Sequence, residues 1–352
     1  MIGRVFICAL LFVQITIPQT PNRLKPPGTV IQGADTAGKL WVDPVNLESR
    51  NLLYGSGGAA KRPKGDQFTF VKEDTDGTNP KIVLKDADGV EWKAKMGSEA
   101  RPETAASRFV WAVGYFTRDY YFLPTIHVQG LRHLRRGSKY VKDGTVTDVR
   151  LMRVNDKEEK IGEWKWAESP FAGTREYNGL RTLLALLNDW DLKDVNNAIY
   201  QPKKDSSTVS VPLHRIYMVS DLGATFGTAG IVPDKRDARG NLESYQDSKF
   251  IDSTEPDVVN FAVPGRPQLI VAFALPQYLS RTHMQWIGKN IPRQDAAWMG
   301  DLLSRLSPVQ IRDAFRCAGF TPEEVEGFAK VVEGRIAQLK ALQIKVQNTS
   351  AR

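Results

Sequence analysis

Apolar and polar positions change their spacing part-way along the chain. From Trp41 to about Val154 apolar residues mostly alternate with polar ones, and beyond about Ser169 they recur every three or four positions. The first spacing puts side chains alternately on the two faces of a strand, and the second gathers them on one face of a helix. Gln67-Phe-Thr-Phe-Val71 alternates. Lys81-Ile-Val-Leu-Lys85 ends in an Asp86-Ala-Asp-Gly89 turn and Val90-Glu-Trp-Lys-Ala-Lys-Met96 returns, which predicts a β-hairpin over 81–96. Strands are also expected at Tyr120–Val128 and Thr147–Val154. One helix interrupts them: Pro102 suits a first turn, Glu103 follows in that turn, and Ala105, Phe109, Val110 and Val113 recur at helical spacing.

The second half predicts helices. Tyr177–Leu187 is apolar at Leu180, Leu183, Leu184 and Leu187, and a further helix is expected at Met299–Leu306. Ser307 before Pro308 is an N-cap signal, and Thr321-Pro-Glu-Glu-Val325 opens a helix expected to reach about Val346. A hairpin-like section over Val209–Leu222 is the exception. Strands with one helix first and mainly helices afterwards predict an α+β fold.

The N-terminus follows neither pattern. Arg4 precedes Val5–Ile17, a run of 13 residues broken only by Gln14 and Thr16, and a Pro-rich stretch follows. The run is too short to cross a hydrocarbon core of ~30 Å and fits an export signal over 1–20, with 21–40 as a linker. A signal anchor is the alternative, since no small-residue cleavage triplet follows; once the signal is removed, no membrane span is expected. The chain is thus expected to be secreted or periplasmic.

Composition narrows the chemistry. The 352 residues are 41% hydrophobic and 25% charged, which excludes a disordered chain and a polytopic membrane protein. Cys8 and Cys317 are the only cysteines, and His127, His133, His214 and His283 are scattered, so neither a disulfide framework nor a Cys-zinc site is available. Net charge is +8, falling to +7 without Arg4, and favours anionic partners. The densest basic run, Arg132-His-Leu-Arg-Arg136 with Lys139 and Lys142, is too short to argue for nucleic acid and suits a solvated loop. Trp164-Lys-Trp166 suits core packing, and Gly55-Ser-Gly-Gly58 suits a flexible turn better than a phosphate cradle.

Two stretches carry candidate chemistry. Asn188-Asp-Trp-Asp-Leu-Lys-Asp-Val-Asn-Asn197 follows an apolar helix, and Tyr217-Met-Val-Ser-Asp-Leu-Gly223 ends an apolar strand in Asp-x-Gly. Phosphoryl transfer needs such groups: a carboxylate to accept the proton of the attacking hydroxyl, a cation beside it, and an amide oxygen and a second carboxylate for magnesium. It also needs a distant lysine on the phosphates, fixed by an acid on a helix.

Asp191-Leu-Lys193-x-x-Asn196 resembles the protein-kinase catalytic loop, and Asp221-Leu-Gly223 is similar to the kinase magnesium motif with Leu in place of Phe. In their order with Lys95 and Glu103, these motifs resemble a bacterial atypical protein-kinase-like family, distantly similar to HipA-type and secretory-pathway kinases, with uncharacterised exported members. The resemblance spans the chain from Trp41 onward and implies a two-lobe fold, with a strand-rich N-lobe over 41–168, a mainly helical C-lobe over 169–346 and a tail at 347–352. It implies ATP and magnesium as cofactors. Asp191 would be the catalytic acid/base and Lys193 would balance the transferred charge. Asn196 and Asp221 would hold magnesium. Lys95 would grip the phosphates and pair with Glu103, and Lys93, two residues away on the same strand face, is the substitute lysine. The His-Arg pair that usually precedes the catalytic Asp is here Asp189-Trp190, and only eight residues separate Lys95 from Glu103. The expected activity is phosphoryl transfer from Mg-ATP to an unknown protein or small-molecule acceptor, with nucleotidyl transfer and a catalytically inactive nucleotide-binding or scaffold pseudokinase as alternatives. No nucleic-acid partner is expected.

Overall fold

The computed structural model describes residues 38–77, 79–155, 157–203, 215–227, 239–262 and 283–349, with side chains to residue 343. The expected export segment 1–20, the linker up to residue 37, the first part of the Val209–Leu222 section and residues 350–352 lie outside the described residues.

Alternation between Gln67 and Arg153 builds a barrel. Its strands are β1 (Gln67–Asp74), β2 (Lys81–Lys85), β3 (Glu91–Met96), β4 (Tyr120–Gln129), β5 (Val141–Lys142) and β6 (Thr145–Arg153). β2 pairs antiparallel with β1 and β3, β1 runs parallel to β4, and β6 is antiparallel to both β4 and β3. This last pairing closes five strands into a barrel, and β5 hangs on β6. Trp92, Ala94 and Met96 point into the barrel with Phe68, Ile82 and Leu151, so Lys93 and Lys95 on the same strand point out of it. The expected 81–96 hairpin is present, and its turn is held by Asp86, whose Oδ1 accepts the Asp88 and Val90 amides. The β5–β6 hairpin was not anticipated. Its two-residue Asp143-Gly144 turn has φ of 49° and 74°, the left-handed geometry that an Asp-Gly pair signals in sequence.

Helix α1 (Ala100–Ala112) is buried on nearly every side. Ala105, Phe109 and Val110 join a larger core shared with α2 (Arg175–Leu186) and with Phe226, Phe315 and Phe328, while Glu103 faces the barrel strands. The later helices are α3 (Leu242–Gln246), α4 (Arg293–Ser304), α5 (Pro308–Arg316) and α6 (Pro322–Thr349). Ser307 caps α5 as expected and forms a capping box with Gln310, and Thr321 exchanges bonds with Glu324 in the same way at the head of α6. Helix α4 starts at Arg293, six residues before the apolar signal at Met299, because its first turn is polar and carries Asp295.

The second half holds more strand than its apolar spacing predicts. β7 (Glu158–Gly162), β8 (Asn197–Pro202) and β9 (Ile216–Val219) form one antiparallel sheet, and β10 (Ile251–Thr254), β11 (Val258–Phe261) and β12 (Ile291–Pro292) form another. β9 lies in the described part, 215–222, of the expected 209–222 section and pairs with β8. Trp164 and Trp166 are buried and meet edge to face at 4.7 Å, as packing residues. The basic run is tied down more than a solvated loop: Leu134 is buried, and the Arg136 guanidinium donates to the Asp74 and Gly77 carbonyls. No helix among the described residues is long and apolar enough to cross a membrane.

Candidate active site

Lys95 leaves the barrel on β3 and meets three carboxylates. Its Nζ lies 3.1 Å from Glu103 Oε2 on α1, 3.1 Å from Asp221 Oδ1 and 2.5 Å from Glu99 Oε2, and the residue is 4% exposed. Burial alone would lower the Lys95 pKa, but the carboxylates of Glu103, Asp221 and Glu99 outweigh it and hold the ammonium protonated. Burial likewise pushes the Asp221 carboxyl up, and the Lys95 charge more than reverses it, leaving Asp221 below its usual range.

Glu103 is itself clamped from the opposite side. Arg150 stands across from Lys95 in the β3–β6 register and donates from Nε to Glu103 Oε2 at 3.1 Å and from Nη2 to Oε1 at 3.2 Å. The Arg150 guanidinium also lies 4.4 Å from the centre of the Tyr120 ring, and the Tyr120 hydroxyl donates to the Ser220 carbonyl. The helix acid is thus held by two cations from adjacent strands.

Asp191, Lys193 and Asn196 sit in the turn between α2 and β8. Asp191 Oδ1 pairs with Lys193 Nζ at 2.7 Å, and Asn196 Nδ2 donates to the Asp191 carbonyl at 2.6 Å. This turn is bonded along its length to the segment that carries Asp221. The Ser220 amide and hydroxyl both donate to the Asn196 carbonyl, the Trp190 amide donates to Ala224, the Phe226 amide to Leu187, and Asn188 Nδ2 to Gly227. Asn188 and Phe226 take φ of 59° and 54°, an uncommon region for side-chain-bearing residues, held here by those bonds and by burial of the Phe226 ring. The catalytic-loop candidates and Asp221 therefore share one hydrogen-bonded base, and Asp221 links it to Lys95.

Lys93 does not join this group. It is 44% exposed, and its nearest acid is Asp74 at 3.6 Å. The glycine turn is also elsewhere: a Cβ on Gly55 would meet the Arg108 guanidinium at 2.2 Å, and one on Gly57 would meet the Tyr121 hydroxyl at 2.1 Å. Close packing against Arg108 and Tyr121 accounts for these glycines.

Glu99 and Arg150 belong to the cluster and were not singled out from the sequence. Glu99 is 7% exposed. It also accepts from Asn79 Nδ2 at 2.6 Å and ion-pairs with Arg239. A Cβ on Gly223 would lie 2.7 Å from Glu99 Oε2, so the Asp-x-Gly glycine makes room for it. Its burial raises the Glu99 pKa, against the pull of Lys95. The spacing Lys95, Glu99, Glu103 hints at the first residue, and Arg150 lies in an expected strand but has no motif of its own.

Asn196 and Asp221 carry oxygen donors of the kind a divalent cation takes. Asn196 spends its Nδ2 on the Asp191 carbonyl, which leaves Oδ1 as the free end of its amide, and Asp221 adds a carboxylate one residue beyond Ser220. Magnesium takes few protein carboxylates and completes its shell with phosphate and water. No cluster of three or more His, Cys, Asp or Glu arranged as an all-protein metal cage occurs among the described residues.

No protein-family model and no curated protein matches the chain. Among solved structures it is similar to the crystal structure of a Helicobacter pylori proinflammatory kinase, CtkA, with a TM-score of 0.43 and 11% identity. The resemblance is distant. It covers 79% of this chain and 97% of that one, and it assigns no residue a role.

Proposed function

We propose that the chain is an exported, two-lobe, kinase-like phosphotransferase that moves the terminal phosphoryl group of Mg-ATP to a hydroxyl acceptor. The convergence of Lys95, Glu103 and Asp221, bonded through Ser220 to the Asp191–Asn196 turn, carries this reading. Asp191 accepts the proton of the acceptor hydroxyl as the new O–P bond forms. The bond to the bridging oxygen breaks, and ADP leaves with its electron pair. Lys193, already on Asp191, balances charge on the phosphoryl group in transit, and Lys95, oriented by Glu103, grips the phosphates. Asn196 and Asp221 would hold magnesium, which neutralises phosphate charge when bound. A second reading, a nucleotide-binding scaffold without catalysis, is favoured by the close packing of Gly55 and Gly57 against Arg108 and Tyr121.

The deciding experiment follows label from γ-³²P-ATP with Mg²⁺ into candidate acceptors. Asp191→Asn is expected to slow transfer by about 10²- to 10⁴-fold while nucleotide binding persists. An Asp221→Asn variant that keeps both Mg-ATP binding and transfer at wild-type level removes that residue from the site. Binding without transfer in the wild type selects the scaffold, and mass spectrometry of the product separates phosphoryl from nucleotidyl transfer.

A further inference from the structure

We propose that Glu99 holds the place of a phosphate on Lys95, and that a bound nucleotide displaces it. The inference rests on the nucleotide-site reading above. Three observations carry it.

The Glu99 contact with Lys95 is the shortest of the three, at 2.5 Å against 3.1 Å for Glu103 and Asp221. A carboxylate and a phosphate are both anionic oxygen acceptors, and both make charge-assisted hydrogen bonds to an ammonium. Glu99 therefore occupies Lys95 in the way an entering phosphate would.

Its position is the second observation. Glu99 comes from the connection between β3 and α1, and its carboxylate lies against Gly223, in the space that any other residue there would fill with its Cβ. That space borders both Lys95 and the Asp221–Gly223 turn, and the proposal puts the phosphate there.

The third is the set of partners on either side of the exchange. Glu103 and Asp221 remain on Lys95 when Glu99 departs, so the buried ammonium keeps two counter-charges. Glu99 has Arg239 on its other oxygen, Oε1, as a counter-charge that does not depend on the contact with Lys95. Its side chain makes no capping bond to α1, so the helix start does not depend on its position. Exchange of one anion for another thus leaves no buried charge unpaired, the condition that makes it inexpensive.

The test compares the full chain with Glu99→Gln, titrating Mg-ATP and, separately, inorganic tripolyphosphate by calorimetry. The variant is expected to bind both about 10-fold more tightly, since the phosphate no longer competes with a charged partner. The gain is expected to vanish when Lys95→Met is added. Should Glu99→Gln melt below the assay temperature, Glu99→Asp, which withdraws the carboxylate by one methylene, is expected to tighten binding in the same direction. Unchanged or weaker binding in a folded variant overturns the proposal while wild-type binding of Mg-ATP keeps the nucleotide site. A gain that survives Lys95→Met also overturns it. If neither ligand binds to any of the proteins, the nucleotide-site reading falls together with the proposal.

Discussion

Two residues ahead of Asp191, the carboxyl of Asp189 is 1% exposed; its Oδ1 accepts the Asp191 amide, and its Oδ2 has no hydrogen-bond partner among the described residues. Burial pushes its pKa well above the ordinary carboxylate value, and the charges of Asp191, Asp221 and Glu99 push the same way. The fold therefore disfavours the charged form of Asp189. A group whose folded pKa is raised contributes stability that is present in full below its unfolded value, near 3.9, and lost as pH rises toward the folded value. Asp189→Asn is neutral at every pH and still accepts the Asp191 amide. Its stability relative to wild type is expected to rise from pH 4 upward, by about 1.4 kcal/mol per pH unit inside that window. Urea unfolding of both proteins from pH 4 to 8 measures this. A difference that stays flat with pH shows Asp189 charged in the folded protein.

At the scale of elements, helix α1 is held to the barrel by a four-charge arrangement: Lys95 and Arg150 on neighbouring strands, Glu103 on the helix and Glu99 just before it. Arg150 is the piece that makes this a clamp, because it bonds both oxygens of Glu103 while Lys95 bonds one. Removing it leaves a buried carboxylate with half its partners. Arg150→Met is expected to cost about 3 kcal/mol, read from the denaturant midpoint. Arg150→Lys, which keeps the charge but not the fork, is expected to recover only part of that loss. An Arg150→Met protein as stable as wild type would show that Lys95 suffices to hold α1. The sequence made Lys95 and Glu103 legible because strand alternation and a helix first turn each leave a pattern. Arg150 stayed hidden: its partner is 47 residues away, and an arginine in an amphipathic strand looks like any solvent-facing residue.

The whole molecule repeats that division between local and distant information. Local signals located the 81–96 hairpin, the core face of α2, and the starts of α5 and α6. The small sheets escaped because β8 and β9 are short and their pairing crosses residues 204–214, while β12 has only two residues. Barrel closure escaped too. It depends on the parallel β1–β4 pairing and on β3 meeting β6, and neither pair is joined by a turn. The catalytic-loop candidates were readable by spacing, whereas the hydrogen bonds that seat them against residues 220–227 were not, because main-chain groups carry no sequence signature.

That closure sets how fast the backbone under Lys95 exchanges its hydrogens with water. β3 has a ladder on each side and no free edge, so its amides meet solvent only when the barrel itself opens. In deuterium-uptake measurements, residues 92–96 are expected among the last to exchange, and the two-residue β5 well before them. Rapid uptake in β3 would mean that the barrel opens readily. With slow uptake, the lysine is mounted on a fixed post, and the give needed to admit a ligand comes from the side chains around it.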